Sequence, residues 1–206
     1  FFDFHVFDAG FVDYEPQLVY SAQESDTWWT QFRIRQQTVA AERSLCHGKI
    51  PVTFFSASRE QYKQWFEVDD ADQLLWAGVP FEPVFAIVDY DHELSDAVTD
   101  DAALITEKKS YEMPLSHFKL SISSFTDTAF VHVAHHWGRA DGEYSDSIIR
   151  NPGIVRMSNR YWVLTGNLPE GTKGKTYFRF AVNNSEYPYL DRGFYTRSQQ
   201  ADSLRL

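Results

Sequence analysis

The sequence predicts an all-β chain built as two consecutive antiparallel β-sandwiches. Three observations carry that expectation. Aromatic residues are abundant, with 17 Phe, 11 Tyr and 6 Trp among 206 residues, and such side chains favour the pleated, half-buried surface of a strand. Apolar and polar residues alternate with period two in many short runs. Turn-forming residues interrupt those runs roughly every ten residues, the spacing of a sandwich or barrel.

In chain order, Phe2, Phe4 and Val6 alternate with Asp3 and His5. Gln17 to Ala22 is a second strand candidate. Trp28 to Gln37 is the clearest, with Phe32 and Ile34 on one face and Arg33 and Arg35 on the other. Ile50, Val52 and Phe54 alternate after His47-Gly48. Gln61 to Val68 sets Phe66 and Val68 against Trp65 and Glu67. Leu74 to Trp76 is short, and Val84 to Tyr90 is nearly continuous apolar, as in a buried strand. The only helical alternatives are a turn at 59–66 and a short helix at 96–108.

Residues 106–115 read as a linker, because Glu107 to Ser110 is polar and Pro114 stops pairing. They divide the chain into 1–108 and 109–206. Strand signals then resume at Phe118, Leu120 and Ile122, and again at Phe130 to Trp137. Ala140 to Asn151 reads as a polar loop. Tyr161 to Leu164 is apolar on both faces, which predicts a central strand covered on two sides. Lys173-Gly174-Lys175 reads as a hairpin turn before a strand at Tyr177 to Val182. Asn183 to Ser185 reads as another turn, and Ser203 to Leu206 as a last strand. The strands expected over 109–206 fit an immunoglobulin-like sandwich.

Charge and motif content restrict function. A formal net charge of −10 argues against a nucleic-acid backbone partner, which needs clustered Lys and Arg. It also argues against an anionic membrane surface. No apolar run spans a bilayer, so no membrane insertion is expected. The start at Phe1-Phe2-Asp3-Phe4 reads as that of an excised or processed chain. Cys46 is the single cysteine, so no internal disulfide forms. With only His47 beside it, Cys46 reads as a structural or loop thiol.

Three groups of residues are candidates for chemistry. His132, His135 and His136 invite a metal reading. On a strand, however, His132 and His136 share a face while His135 points away, and a pair is not a closed site. They are expected to be half-exposed strand histidines beside Trp137. His92-Glu93 lacks a second His four residues on, since position 96 is Asp, so it is not a zinc-peptidase helix. Asp89, Asp91, Glu93 and Asp96 lack the spacing and central Gly of a calcium loop and read as a solvated acidic loop. The third group is Trp28, Trp29, Trp65, Trp76, Trp137 and Trp162. These serve core packing, or, if lined up on an exposed sheet face, stacking against sugar rings. No catalytic, cofactor-binding or metal residue is assigned, and no cofactor is expected.

The order of features from Pro83 onward resembles the C-terminal region of large secreted bacterial M1-family zinc metallopeptidases. Phe81 to Asp89 is similar to the strand that closes the sandwich after the catalytic domain, and Glu93 to Asp100 to the turn after it. His135-His136-Trp137, Ser158 to Trp162 and Gly166 to Pro169 resemble landmarks of an appended sandwich, and Leu190-Asp191 and Asp202-Ser203-Leu204 its tail. Upstream, Phe32 to Gln37, Ile50 to Phe54 and Gln61 to Val68 fit the same outline. The acidic loop Asp141 to Asp146 and the very aromatic first half depart from it. No position matches the family's His-Glu-x-x-His motif. The resemblance therefore implies a non-catalytic part of an aminopeptidase-like parent, whose partner is the catalytic domain of the same parent chain. It also implies an extracellular or periplasmic setting. The alternative is a sandwich module that binds a carbohydrate, a peptide or a cell surface.

Overall fold

The computed structural model describes residues 10–39, 47–138 and 160–178. Among them there is no helix, and every strand pairing is antiparallel. The first six strands are β1 (Phe11–Glu24), β2 (Thr27–Val39), β3 (Gly48–Ser56), β4 (Gln61–Val68), β5 (Asp72–Val79) and β6 (Pro83–Val88). They form two three-stranded sheets, ordered β1-β2-β5 and β4-β3-β6. The other six are β7 (Val98–Ile105), β8 (Ser110–Met113), β9 (Phe118–Ser124), β10 (Ala129–His136), β11 (Tyr161–Asn167) and β12 (Lys173–Phe178). They form sheets ordered β11-β10-β7 and β12-β9-β8.

Alternation explains how each pair of sheets closes. Phe32 and Ile34 on β2 point inward against Ile50, Val52 and Phe54 on β3 and Phe66 and Val68 on β4, and all seven are buried. Phe32 meets Phe54 and Phe66 edge to face, with centroids 5.3 and 4.8 Å apart. Burying each such ring contributes about 1.5–3 kcal/mol. The second cluster joins Ile105, Met113, Phe118, Leu120 and Ile122 to Ala129, Val131 and Val133. Each sheet pair is thus sandwich-like, with its own greasy interior.

A third cluster lies where the two sheet pairs meet. Phe55 and Phe85 stack at 4.8 Å, and Phe130 of β10 stacks on Phe55 at 5.5 Å. β3 therefore has apolar partners on both faces. The connection between β6 and β7 is stitched to both sides: the Ala97 N–H donates to the Val12 carbonyl at 2.7 Å, and the Trp137 N–H donates to the Ala97 carbonyl at 2.8 Å.

Several expectations are corrected. Residues 106–115 are not a linker, because β8 lies within them and pairs with β9. Pairing partners change earlier, between β6 and β7, so β7, expected within 1–108, joins the second sheet pair. The helical alternatives at 59–66 and 96–108 are strands β4 and β7. Lys173 to Lys175 lies inside β12 rather than in a turn, with Gly174 set so close to β9 that a Cβ would sit 2.7 Å from the Ser121 carbonyl oxygen. The Tyr161–Leu164 strand is not central: among the described residues β11 pairs only with β10 and is half-buried. The deeply buried strand of that sheet is β10. The expected strands at 2–6 and 203–206, the loop at 140–151, the turn at 183–185 and Cys46 lie outside the described residues.

Candidate functional site

The outer face of the β1-β2-β5 sheet is built as rungs. Glu15 pairs with Arg35, and Arg35 with Asp72. Gln17, Arg33 and Leu74 form the next rung, then Tyr20, Gln31 and Trp76, then Ala22, Trp29 and Gly78. These residues share a face because side chains alternate along each strand, and Phe32 and Ile34 take the other face. Tyr20 reaches this face through a bulge. The register shifts between Leu18 and Tyr20, so Leu18 leans on the core while Tyr20, two residues later, points out.

The result is a patch of open aromatic side chains. Tyr20 is 56% exposed, Trp76 51% and Trp29 46%, beside Leu74 and Val19. Tyr20 and Trp76 lean together across Gln31, edge to face at 6.5 Å. The six-membered ring of Trp29 lies over Gly78, where a Cβ would touch it at 3.6 Å. Glycine thus gives that ring a flat seat. Gln17, Gln31 and Arg33 set amide and guanidinium groups among the rings, and Asp72 holds Arg33 at 3.1 Å. An apolar face with hydrogen-bonding groups between its rings suits a hydroxylated, ring-shaped ligand.

The other tryptophans are elsewhere. Trp65 stands exposed on β4 beside Lys63, whose Nζ lies 5.7 Å from its ring centre. Trp28 is half-buried. Trp137 and Trp162 enclose His135, with ring centres at 4.3 and 4.6 Å.

The three β10 histidines are buried, not half-exposed. His132 Nε2 lies 2.5 Å from Asp100 Oδ2 and its Nδ1 lies 3.2 Å from Thr165 Oγ1. His136 Nδ1 lies 2.5 Å from Asp13 Oδ1, and the ring stacks on Tyr161 at 4.3 Å. His135 has no hydrogen-bond partner on either ring nitrogen among the described residues. Burial, then the nearby Arg160 charge, pushes its pKa down to about 3, so it stays neutral. Sequence reasoning missed this because the partner of His136 lies on β1, 123 residues away.

The Asp13–His136 pair joins the two sheet pairs at one end of the same outer face that carries the aromatic patch. Gln37 Nε2 donates to the other Asp13 oxygen at 2.8 Å. The space beside the pair is about 10 Å³, room for about one water molecule. The pair clasps the two sheet pairs together.

The acidic loop after β6 is also structural. Asp89 accepts the Glu93 and Leu94 N–H groups at 2.7 and 2.8 Å, and burial raises its pKa. Asp91 and Glu93 both engage Lys63. Asp96 accepts the Val98 N–H at 3.1 Å. His92 Nδ1 lies 3.4 Å from Asp100 Oδ1. Among the described residues no three His, Cys, Asp or Glu side chains converge as a metal site requires.

Of the residues read from sequence, the structure brings Trp29 and Trp76 onto one face and adds Tyr20, which composition alone did not single out. The outward direction of Trp29 follows from its parity with Arg33, whereas that of Trp76 needs the β2–β5 register. Comparison with known proteins found no matching family model, no matching curated protein and no matching solved structure.

Proposed function

We propose that this chain is a non-catalytic binding module, in two consecutive β-sandwich domains of which the second is immunoglobulin-like. Its ligand is carbohydrate, stacked on Tyr20, Trp29 and Trp76. The observation that carries the reading is the exposure of these three aromatic side chains together on one sheet face. Scattered surface apolar groups are ordinary, but a contiguous aromatic patch marks a contact surface. The net charge of −10 disfavours a polyanionic ligand, while Gln17 and Gln31 offer the neutral hydrogen bonds that hydroxyls use.

Each stacked ring contributes about 1 kcal/mol. Three rings with a few hydrogen bonds give a dissociation constant of about 1 mM per contact. Such a contact becomes useful when many are made along one polymer. In the arrangement that the M1 resemblance implies, this face would hold a catalytic domain of the parent chain near a cell surface or polymer.

Retention of the 206-residue chain on a panel of insoluble polysaccharides tests the proposal. The wild type is retained on at least one, and Trp29→Ala and Trp76→Ala each weaken retention while the circular dichroism spectrum stays that of the parent. Passage of the wild type through every matrix, or equal retention of both variants, overturns it.

A further inference from the structure

A second cavity lies on the seam between the two sheet pairs, away from the aromatic face. Its volume is about 300 Å³, the lower end of the range for small-ligand pockets. The β3–β4 turn supplies one wall with Ser58 and Arg59. The β9–β10 turn and the start of β10 supply the other with Asp127, Thr128 and Phe130, and Asn167 closes it at the end of β11.

Both walls are braced. In the β3–β4 turn the Arg59 N–H donates to the Ser56 carbonyl at 3.0 Å, and the Glu60 N–H donates to Ser56 Oγ at 2.9 Å. Ser58 Oγ donates to Glu60 Oε2 at 2.9 Å. Asn167 Nδ2 crosses the seam to the Ala57 carbonyl at 3.0 Å. Asp127 accepts the Thr128 N–H with one oxygen, at 2.6 Å, which leaves the other for a ligand. Phe130 stacks on Phe55 and Phe85 and lends the cavity the rest of its surface.

Arg59 is the informative residue. Its φ of 72° lies in the left-handed region, where a long side chain is strained and glycine is not. A turn shaped only by its backbone favours Gly there. Arg59 lines the cavity at a cost in backbone energy, and such outliers gather at functional positions. No ion pair holds Arg59 to Asp127, so a cation and a carboxylate line one small space without meeting.

We propose that this cavity is a second sugar subsite that takes one hydroxylated ring. Phe130 offers a surface to the apolar side of the ring, and Asp127, Asn167 and Arg59 hydrogen-bond its hydroxyls. The proposal rests on reading the chain as a carbohydrate binder, and it shares no residue with the aromatic face. That face serves the flat side of a polymer. The cavity, recessed between the β3–β4 and β9–β10 turns, fits a chain end or a branch.

The test is a titration of the isotopically labelled 206-residue chain with free hexoses and N-acetylhexosamines, followed by amide NMR. A sugar that binds moves the amides of 57–60, 127–130 and 167 and saturates. Arg59→Gly and Asp127→Ala each lower the affinity about tenfold or more, the loss expected when a charged hydrogen bond is removed. Arg59→Gly keeps or raises the melting temperature, which separates lost binding from lost folding. Trp76→Ala leaves the monosaccharide affinity unchanged. Three results overturn the proposal: no sugar moves these amides, both cavity variants bind as the wild type does, or free amino acids move them and sugars do not. If cavity binding fails while polysaccharide retention persists, only the subsite falls. If retention fails while the cavity binds, only the role of the aromatic face falls.

Discussion

Replacing Asp96 with Asn tests whether the connection between β6 and β7 holds a protonated carboxyl group. Burial lifts the Asp96 pKa from 3.8 to about 7, the Val98 N–H opposes the rise, and the negative charges of Asp89, Asp100 and Asp13 add to it. A raised pKa means that the folded chain holds a proton the unfolded chain has released. The stabilisation is fully present below pH 3.8 and is lost as the pH rises through about 7. At about 1.4 kcal/mol per tenfold, the full gap is worth about 4 kcal/mol. Asparagine is neutral at every pH and can still accept the Val98 N–H. Urea unfolding followed by tryptophan fluorescence therefore gives nearly equal stabilities for the two proteins well below pH 4. Above pH 8 the Asp96→Asn chain is more stable by about 2–4 kcal/mol. Parallel stability curves, or a variant weaker than the parent at high pH, refute the placement of this carboxyl.

Further expectations follow from packing. Gly166 has φ of 143°, and a Cβ there would lie 2.1 Å from the Phe130 carbonyl oxygen, so Gly166→Ala lowers stability by about 3 kcal/mol or more, read as a fall in melting temperature. Phe32 is fully buried between two aromatic rings, and Phe32→Ala costs about 3–5 kcal/mol in urea unfolding. His136→Ala leaves the Asp13 carboxyl in the seam without its ring partner and costs about 3–5 kcal/mol. Adding Asp13→Asn recovers part of that loss in a double-mutant cycle. His135 has no hydrogen-bond partner on either ring nitrogen among the described residues, so His135→Phe keeps the ring between Trp137 and Trp162 and leaves the melting temperature unchanged or higher.

The parts of the fold that could be read from sequence are those set by parity within a single run. Phe32 and Ile34 against Arg33 and Arg35, and Phe118, Leu120 and Ile122 against Lys119 and Ser121, point as their alternation requires. What could not be read depends on partners far along the chain. β11 looks central because both its faces are apolar, yet Tyr161 and Trp162 are apolar in order to cover His136 and His135 across the ladder. The histidines look half-exposed because the carboxylates that receive them, Asp13 and Asp100, belong to other strands. The polar run Thr99-Asp100-Asp101 gives no period-two signal, although β7 pairs along its whole length with β10. Tyr20 owes its outward direction to a bulge of one residue, which leaves no trace in the alternation.

Tyr20 and Trp29 of the aromatic face sit on the longest hairpin among the described residues, β1 with β2, whose far end is clasped to β10 through Asp13. Its ladder bonds run perpendicular to the strands. A tether dragged along the strand direction would therefore load those bonds together in shear, rather than peel them apart singly. If this face holds a ligand as proposed, the hairpin would stay folded under flow or tension, and the ring contacts, at about 1 mM for the three together, would be the first to let go.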